Sequence, residues 1–258
     1  MHPLLKKKGF IVDIDGVIGR SVEPIEEGVR GAKKLMEMGK RLVFVSNNST
    51  RSRRILLERL RSFGLEVDEN SIVSATHATA RFIAKEKPNA KVFTTGEDGL
   101  KEELREAGLE IVEYDKAEYL VVGSNRKLDY DLMTKALRCC LRGIRYIATN
   151  PDKIFPSEDG PTPGTGMIIG ALYWMTGRLP DVIVGKPSKI IMLEALEKLK
   201  LKAEEVVVVG DQIDVDVLAG KNIGAETLLV LTGVAKESDL EKSEIKPDYV
   251  LPSLESIF

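Results

Sequence analysis

Two aspartates one residue apart follow a short apolar run near the start of the chain. Residues 10–12 are apolar, Asp13 and Asp15 follow, and Gly16 comes next. Residues i and i+2 of a strand point to the same face, so both carboxylates leave the strand together. Carboxylates this close repel each other unless a cation lies beside them. The pattern indicates a Mg²⁺-assisted site with a carboxylate nucleophile and a neighbouring acid–base group; the alternative is a solvated β-turn with two capping acids.

Three further apolar segments also end in residues that can handle phosphate. In chain order they are Ser46 and Asn47 after residues 41–45, Lys186 after residues 182–184, and Asp211 after residues 206–209. Open parallel sheets bind ligands at the carboxyl ends of their strands. If the four strands share one sheet, the charged and polar groups converge on one crevice.

The chemistry of these groups is coherent for phosphoryl transfer. A carboxylate that attacks a phosphate dianion meets charge repulsion, and Mg²⁺, which prefers oxygen ligands, could bridge Asp13, Asp211 and the substrate. Lys186 supplies a fixed positive charge, Ser46 supplies a hydroxyl donor, and the amides after Ser46 can form an anion cradle. Asp15 can protonate the leaving oxygen and later activate water. The reaction would then pass through an aspartyl-phosphate.

The segment after Gly210 holds three aspartates with different prospects. Asp211 is the best metal ligand because it follows the apolar strand directly. Asp216 lies one helical turn further on and could bind Mg²⁺ through water or orient Lys186. Asp214 is typical of a helix N-terminal acid that the helix dipole favours. The sequence leaves open whether Asp214 or Asp216 contacts the metal shell.

The elements that must position these groups alternate between strand and helix. Strands are predicted over residues 10–15, 41–45, 72–73, 91–95, 109–112, 119–122, 146–149, 182–184, 206–209, 227–231 and 249–251. Helices are predicted over residues 26–38, 53–63, 75–85, 99–107, 130–142, 167–175, 190–199 and 215–222. Residues 151–166, dense in Pro and Gly, are predicted as an ordered loop. Continuous β-branched runs favour parallel sheets buried on both faces, and hence an α/β fold.

These motifs resemble those of the haloacid dehalogenase superfamily of phosphatases, in its NagD-like branch. The matching segments are residues 13–17, 46–49, 148–152, 163–166, 185–188 and 210–216. The resemblance implies that Asp13 is the nucleophile and Asp15 the acid–base group. It implies a phosphate-binding site formed by Ser46 and Lys186, and we add Asn47 to this site because it belongs to the amide cradle. It also implies a Mg²⁺ site formed by Asp13, the main-chain carbonyl of Asp15, and Asp211. We assign Asp216 a supporting role.

The resemblance also gives the chain a domain plan. It implies a Rossmann-like doubly wound parallel-sheet core over residues 1–74 and 181–258. A smaller α/β cap, residues 75–180, would be inserted into this core, close over the site and exclude water. Members of this branch often dimerise through the cap, so a homodimer is an expectation of the same kind.

Composition bounds the remaining possibilities. The 258 residues carry a net charge of −2 and are 43% hydrophobic, which suffices for a large core in one or two domains. The nearly balanced charge does not favour nucleic acid or a membrane surface as partner. No segment has the character of a signal peptide or a membrane span, so we expect a cytoplasmic protein. Cys139 and Cys140, the only cysteines, are predicted to be reduced packing residues.

The leading hypothesis is therefore a Mg²⁺-dependent phosphomonoester hydrolase acting on a small phosphorylated metabolite. A nucleotide monophosphate and phosphoglycolate are possible substrates, and p-nitrophenyl phosphate is the generic one. C–halide or phosphonate cleavage on the same scaffold is a second hypothesis. A third is a non-catalytic, receiver-like phosphate sensor, which Asp15 and a separate cap argue against because a switch has no leaving group to process.

Overall fold

The computed structural model describes residues 2–157 and 160–258, which divide into two compact units. The first unit comprises the residues up to Ser46, Arg54–Val73 and Lys186–Phe258. The second comprises Asn47–Arg53 and Ser74–Gly185. Each unit is built around its own parallel sheet, so the expected α/β class is confirmed.

The described residues form fifteen strands. They are β1 (Gly9–Asp13), β2 (Gly19–Arg20), β3 (Glu23–Pro24), β4 (Arg41–Ser46), β5 (Ile72–Ser74), β6 (Lys91–Thr94), β7 (Glu110–Ile111), β8 (Tyr119–Val122), β9 (Arg145–Ala148), β10 (Ile154–Ser157), β11 (Gly160–Pro163), β12 (Val182–Ile183), β13 (Val206–Gly210), β14 (Glu226–Val230) and β15 (Tyr249–Leu251).

The same residues form nine α-helices. They are α1 (Glu26–Glu37), α2 (Arg53–Ser62), α3 (Ala75–Glu86), α4 (Asp98–Glu106), α5 (Tyr130–Leu141), α6 (Thr165–Thr176), α7 (Lys189–Leu199), α8 (Leu218–Ile223) and α9 (Glu237–Lys242). A π-helical turn, Ile213–Val217, runs directly into α8. No helix in the described part of the chain is long and apolar enough to cross a bilayer.

The sheet of the first unit has six strands in the order β15-β14-β13-β1-β4-β5. Strand β1 pairs in parallel with both β4 and β13, and all residues of β1 and β13 are buried. Helices α1 and α2 contribute to the apolar core on one face of this sheet, whereas α7 and α8 contact β4 and β13. Coverage on both faces explains the continuous β-branched runs, and this doubly wound, Rossmann-like core agrees with prediction.

The sheet of the second unit has five strands in the order β12-β9-β8-β6-β7, and all four pairings are parallel. Its main core packs β8 and β9 against α5 and α6, with Tyr146 and Leu120 fully buried. Cys139 and Cys140 lie in this core as free thiols, as predicted. Burial raises the pKa of Cys139 to about 12, so this thiol is unreactive.

One predicted strand belongs to the other sheet. Residues 182–184 were expected to share a sheet with the strands that end at Asp13, Ser46 and Asp211. Strand β12 instead pairs with β9 at the edge of the second sheet. The reason is its length: two paired residues carry no periodicity that distinguishes one parallel sheet from another. Accordingly, Asp181–Gly185 cluster with the second unit, and Lys186 is the first residue of the next segment of the first unit.

The segment predicted as a loop over residues 151–166 contains an antiparallel ribbon. Strands β10 and β11 pair with Ile154 opposite Pro163 and Pro156 opposite Pro161. Proline is tolerated here because a two-stranded ribbon has free edges on which no N–H is required. Glu158 and Asp159, which belong to the same predicted loop, lie outside the described residues.

Candidate active site

Three neighbouring strands of the first sheet end in the predicted site residues. Asp13 closes β1 and lies opposite Val45 of β4, so Ser46 follows in the adjacent strand. On the other side Val12 lies opposite Val209 of β13, and Asp211 follows that strand after Gly210. Adjacent strands are about 4.8 Å apart, so this register alone gathers the three side chains at one sheet edge. Asp13, Ser46 and Asp211 are all buried.

Lys186 links two of the buried aspartates. Its Nζ lies 2.5 Å from Asp13 Oδ1 and 2.6 Å from Asp216 Oδ1. The second oxygen of Asp216 accepts hydrogen bonds from the main-chain N–H groups of Asp211 (3.2 Å) and Gln212 (3.1 Å). Asp216 therefore holds the Lys186 ammonium group in place, and both carboxylate oxygens of Asp216 accept hydrogen bonds. The exposed Asp214 takes no part in this network.

Burial and mutual repulsion set the proton affinities of this cluster. Burial raises the pKa of Asp13 well above its usual value; Lys186 opposes the shift, whereas Asp216 and Asp211 add to it. Burial also opposes the charge on Lys186, but the carboxylates of Asp13 and Asp216 outweigh it and raise the pKa of the lysine. Because Lys186 contacts two carboxylates, we place the proton shared with Asp13 on the lysine.

Asp211 has one carboxylate oxygen that is held and one that is not. Its Oδ2 accepts a hydrogen bond of 2.7 Å from the main-chain N–H of Val234. Its Oδ1 is buried and has no hydrogen-bond partner among the described residues. Burial, with the nearby Asp216, raises the pKa of Asp211 to about 7. An orphaned buried carboxylate oxygen is costly for the fold unless a cation compensates it.

Two glycines make room for the Asp211 carboxylate. A Cβ at Gly16, whose φ is +94°, or at Gly233 would overlap the Asp211 side chain. Thr232 Oγ1 donates to the carbonyl oxygen of Gly16 at 2.6 Å, and thus ties the loop after β14 to the loop after β1. The two loops close around Asp211, so its carboxylate has little freedom to rotate.

These residues fit a divalent cation such as Mg²⁺. One oxygen from each of Asp13, Asp211 and Asp216 can be chosen so that all three lie within 4.8 Å of one another. Asp216 already accepts hydrogen bonds from Lys186 and two N–H groups, whereas Asp211 Oδ1 has no partner among the described residues, so we favour Asp13 and Asp211 as the side-chain ligands. All are hard oxygen donors, which Mg²⁺ prefers. The carbonyl of Asp15 stays a predicted third ligand.

Asp15 differs from the other acids because it reaches solvent. Its side chain is 47% exposed, and its Oδ1 accepts a hydrogen bond of 2.7 Å from Arg59 Nη1 on α2. Arg59 itself is buried. A partly exposed carboxylate two residues from a buried one is suited to exchange protons with a ligand or water.

Asn47 is placed differently from the other predicted phosphate-binding residues. It belongs to the second unit, where its Nδ2 donates to Asp152 Oδ1 at 3.0 Å. Its carbonyl oxygen accepts a hydrogen bond of 2.6 Å from Asn150 Nδ2. These contacts fix the Asn47 side chain within its own unit, and a phosphate-binding role for it stays a prediction.

Comparison with known families identifies this arrangement. Residues 10–110 match the model of the haloacid dehalogenase-like hydrolases, and residues 183–257 match a second model of HAD-hydrolase-like proteins. The chain belongs to the haloacid dehalogenase-like hydrolase family. The matches include the segments that carry Asp13, Ser46, Lys186 and Asp211.

Curated relatives of this hydrolase are phosphatases. The chain is 38% identical to the sugar phosphatase AraL of Bacillus subtilis over 96% of its own length and 91% of the relative's. It is 35% identical to the 5'-nucleotidase YutF of the same organism over 96% of each chain. These matches show that the chain is an enzyme of the phosphatase class.

Solved structures agree with this assignment. The hydrolase superposes on a p-nitrophenyl phosphatase from Archaeoglobus fulgidus with a TM-score of 0.95 and 74% identity, over 98% of each chain. A 4-nitrophenylphosphatase from Thermotoga maritima gives the same TM-score at 33% identity, over 100% of this chain and 98% of the other. The predicted resemblance to the NagD-like branch is thereby confirmed.

Two contacts of the hydrolase site were not predicted from sequence. Arg59 is one: its position within an arginine-rich helix is typical of a solvated surface, and no pattern pointed to Asp15. The loop Thr232–Val234 is the other. A signal for the loop existed, because Thr-Gly-Val follows a buried strand at the same sheet edge as the predicted residues.

Proposed function

We propose that this phosphatase hydrolyses phosphate monoesters of small metabolites, with Mg²⁺, through an aspartyl-phosphate on Asp13. The observation that carries the proposal is the pairing of a lysine-neutralised Asp13 with an Asp211 oxygen that lacks a partner. A nucleophile, its counter-charge and a ligand position for a cation then lie at one sheet edge. A related glycerol phosphate phosphatase from Mycobacterium tuberculosis, 27% identical, was solved in complex with magnesium, which supports the choice of ion.

In the first step the Asp13 carboxylate attacks the phosphorus atom. The bond between phosphorus and the ester oxygen breaks, its electron pair stays on that oxygen, and Asp15 gives the oxygen a proton. Lys186 holds the attacking carboxylate and offsets its charge. The hydroxyl of Ser46 and the main-chain amides that follow it would hold the phosphate oxygens. A bound Mg²⁺ would supply positive charge that reduces repulsion between the carboxylate and the phosphate.

In the second step a water molecule attacks the phosphorus of the aspartyl-phosphate. Asp15, now deprotonated, takes a proton from the water, and the bond between phosphorus and Asp13 breaks. Asp13 returns to its carboxylate form and inorganic phosphate leaves. Both steps use one proton on Asp15, which is regenerated after each turnover, so no external acid or base is consumed.

We further propose that sugar phosphates and 5'-nucleotides are the first substrates to test. The support is the activity in the names of the two relatives, AraL and YutF. The domain plan belongs to the same proposal, with its second boundary moved from residue 181 to residue 186, where the first unit resumes. Residues 1–74 and 186–258 would form the catalytic core, and residues 75–185 the inserted cap that selects among such esters.

The test is phosphate release from p-nitrophenyl phosphate by the wild-type chain and by Asp13→Asn, each with Mg²⁺ and with excess chelator. We expect turnover by the wild type with Mg²⁺ alone, and a loss of at least about 1,000-fold in the variant, because the amide is a poor nucleophile. Asp214→Asn, an exposed acid near the same site, is the matched control and should keep wild-type turnover. Turnover that survives Asp13→Asn would mean that another group is the nucleophile.

A further inference from the structure

Arg59 is a buried arginine with an unusual set of contacts. Its Nη1 donates to Asp15 Oδ1 at 2.7 Å. Its Nε and Nη2 are buried and have no hydrogen-bond partner in the described ranges, residues 2–157 and 160–258. A guanidinium carries five N–H donors and is strongly destabilising when buried with donors unpaired. Packing alone therefore does not account for an arginine here, whereas its contact with Asp15 does.

The surroundings of Arg59 keep it in place. Its guanidinium lies 5.5 Å from the ring centroid of Phe63, which follows α2. The Phe63 ring in turn packs on Gly19, where a Cβ would approach the ring Cε2 to 2.5 Å. Gly19 forms a β-bridge with Asp15. The turn from Asp15 to Gly19 and the end of α2 therefore form one packed cluster.

The direction of the available donor limits what Arg59 can do. The two unpartnered nitrogens have almost no accessible surface, so they cannot reach a substrate without a rearrangement. The one nitrogen with a polar partner points at the carboxylate expected to exchange the proton. That carboxylate is 47% exposed and would otherwise be free to turn into solvent.

We propose that Arg59 is a positioning residue that holds the Asp15 carboxyl group in the orientation needed to protonate the leaving oxygen. The inference deepens the proposed function and rests on it. In the step concerned, the O–P bond to Asp13 forms as the ester P–O bond breaks. The electron pair of the broken bond stays on the ester oxygen, which takes the proton of Asp15.

The test compares two esters that differ in their need for that proton. Nitrophenolate leaves without protonation, whereas the alkoxide of ethyl phosphate does not. We expect Arg59→Met to lower kcat/KM for ethyl phosphate by about 30-fold, a part of the roughly 100- to 10,000-fold that general acid catalysis supplies, because Asp15 is still present but no longer held. For p-nitrophenyl phosphate we expect a loss of less than about threefold. Methionine fills the volume of the arginine stem and leaves no buried charge, so the fold should persist.

Three controls separate positioning from a structural role. Arg59→Lys, which restores one donor, should recover most of the lost activity on ethyl phosphate. Arg54→Ala, on the same helix but in an exposed pair with Glu58, should leave both esters unaffected. The affinity for Mg²⁺ alone, measured by calorimetry, should be unchanged in Arg59→Met because Asp13 and Asp211 do not contact the arginine.

An equal loss on both esters would overturn the inference, as would unchanged activity on ethyl phosphate. A failure of the proposed function itself would look different. In that case the wild-type chain would release no phosphate from either ester, and the ratio between variants could not be formed. Loss of Mg²⁺ affinity in Arg59→Met would also contradict positioning, since it would mean that the whole site had collapsed.

Discussion

The two parallel sheets of this hydrolase differ in the side chains at the ends of their strands. In the first unit, β1 and β13 lead into Asp13 and Asp211, and a buried lysine lies between carboxylates. In the second unit, β6, β8 and β9 lead into hydroxyls. Thr94 donates to the carbonyl of Val121 at 2.8 Å, and Thr149 donates to that of Val122 at 3.2 Å.

The comparison shows what topology supplies and what it does not. A parallel sheet with helices on its faces always provides a row of strand ends, and both sheets have one. In the second sheet, the hydroxyls of Thr94 and Thr149 donate to carbonyl oxygens of the neighbouring strand. In the first sheet, Asp211 Oδ1 is left without a partner in the described residues. The function therefore depends on unsatisfied groups and not on the fold.

Replacing Lys186 with methionine should have the largest effect, because it removes the charge that distinguishes the first sheet from the second. The variant leaves Asp13 and Asp216 buried without a counter-charge. We expect phosphate release to fall at least about 100-fold, because a fixed charge at the reacting centre is lost. We also expect the free energy of unfolding at pH 8 to fall by about 3–5 kcal/mol. Urea unfolding and steady-state kinetics test this, with the exposed Lys189→Met as control; a loss below tenfold would contradict the assigned role.

Glycine-to-alanine substitutions sharpen the comparison between the two units. Gly233→Ala pushes a methyl group into the Asp211 carboxylate, so the affinity for Mg²⁺ should fall about tenfold, as for other residues that orient metal ligands. Gly170→Ala, in the middle of α6, meets nothing within 4 Å. It should leave Mg²⁺ affinity unchanged and stabilise the protein by up to about 1 kcal/mol. Calorimetry would refute this assignment if both variants bound Mg²⁺ like the wild type.

The buried Asp211 should make the metal-free protein less stable as the pH rises, which is the reverse of the usual effect of a carboxylate. The pKa of Asp211 is raised to about 7 from its ordinary 3.8, so between these values the folded state binds more protons than the unfolded state. The free energy of unfolding should then fall as the pH rises from 5 to 8. Each pH unit by which the pKa of Asp211 in the folded state exceeds its ordinary value contributes about 1.4 kcal/mol to this fall.

Added Mg²⁺ should reverse this trend, since the deprotonated carboxylates bind it and the gain is largest above pH 7. Thermal unfolding at pH 5, 6, 7 and 8, with chelator or with Mg²⁺, gives the measurement. A Tm of the chelated protein that is flat or rises over this range would exclude a protonated Asp211 in the fold.

The smallest expected effect comes from Thr94→Val in the second sheet. The hydroxyl donates to Val121 and accepts from the N–H of Gly96 at 3.0 Å, so its loss leaves buried groups unpaired. We expect a cost of about 1 kcal/mol and a fall in Tm of about 2–4 °C, with unchanged turnover of p-nitrophenyl phosphate. A loss of turnover above twofold would show that this strand end is coupled to catalysis.

Much of the fold was predictable because both sheets are buried on two faces. Such strands show as unbroken apolar runs, and Asp13 and Asp211 stand out as charges directly after them. The short strands were predicted less well. Strand β12 has two residues and was assigned to the wrong sheet, and the prolines of β10 and β11 led to the prediction of a loop. Local pattern does not determine which partner a two-residue strand finds.

The candidate site was predictable where a residue follows a strand in sequence. The site was not predictable where a helix carries the residue. Arg59 follows the exposed Glu58 on α2 and reaches Asp15 only through tertiary packing. Asp216 was predicted to bind Mg²⁺ through water or to orient Lys186, and it contacts Lys186; its two hydrogen bonds from N–H groups depend on the π-helical turn that carries it. Sequence spacing does not indicate the Arg59–Asp15 contact or the two N–H bonds to Asp216.

The contact between Asp13 and Lys186 also determines at which stage of translation the site can form. Lys186, whose ammonium group holds the Asp13 carboxylate, is translated 173 positions after it. At about 5–20 residues per second, the ribosome needs roughly 9 to 35 s to cover that interval. Every residue of the second unit precedes Lys186, so that unit can fold first on the nascent chain. The carboxylates therefore acquire their counter-charge only after the whole of the second unit has been synthesised.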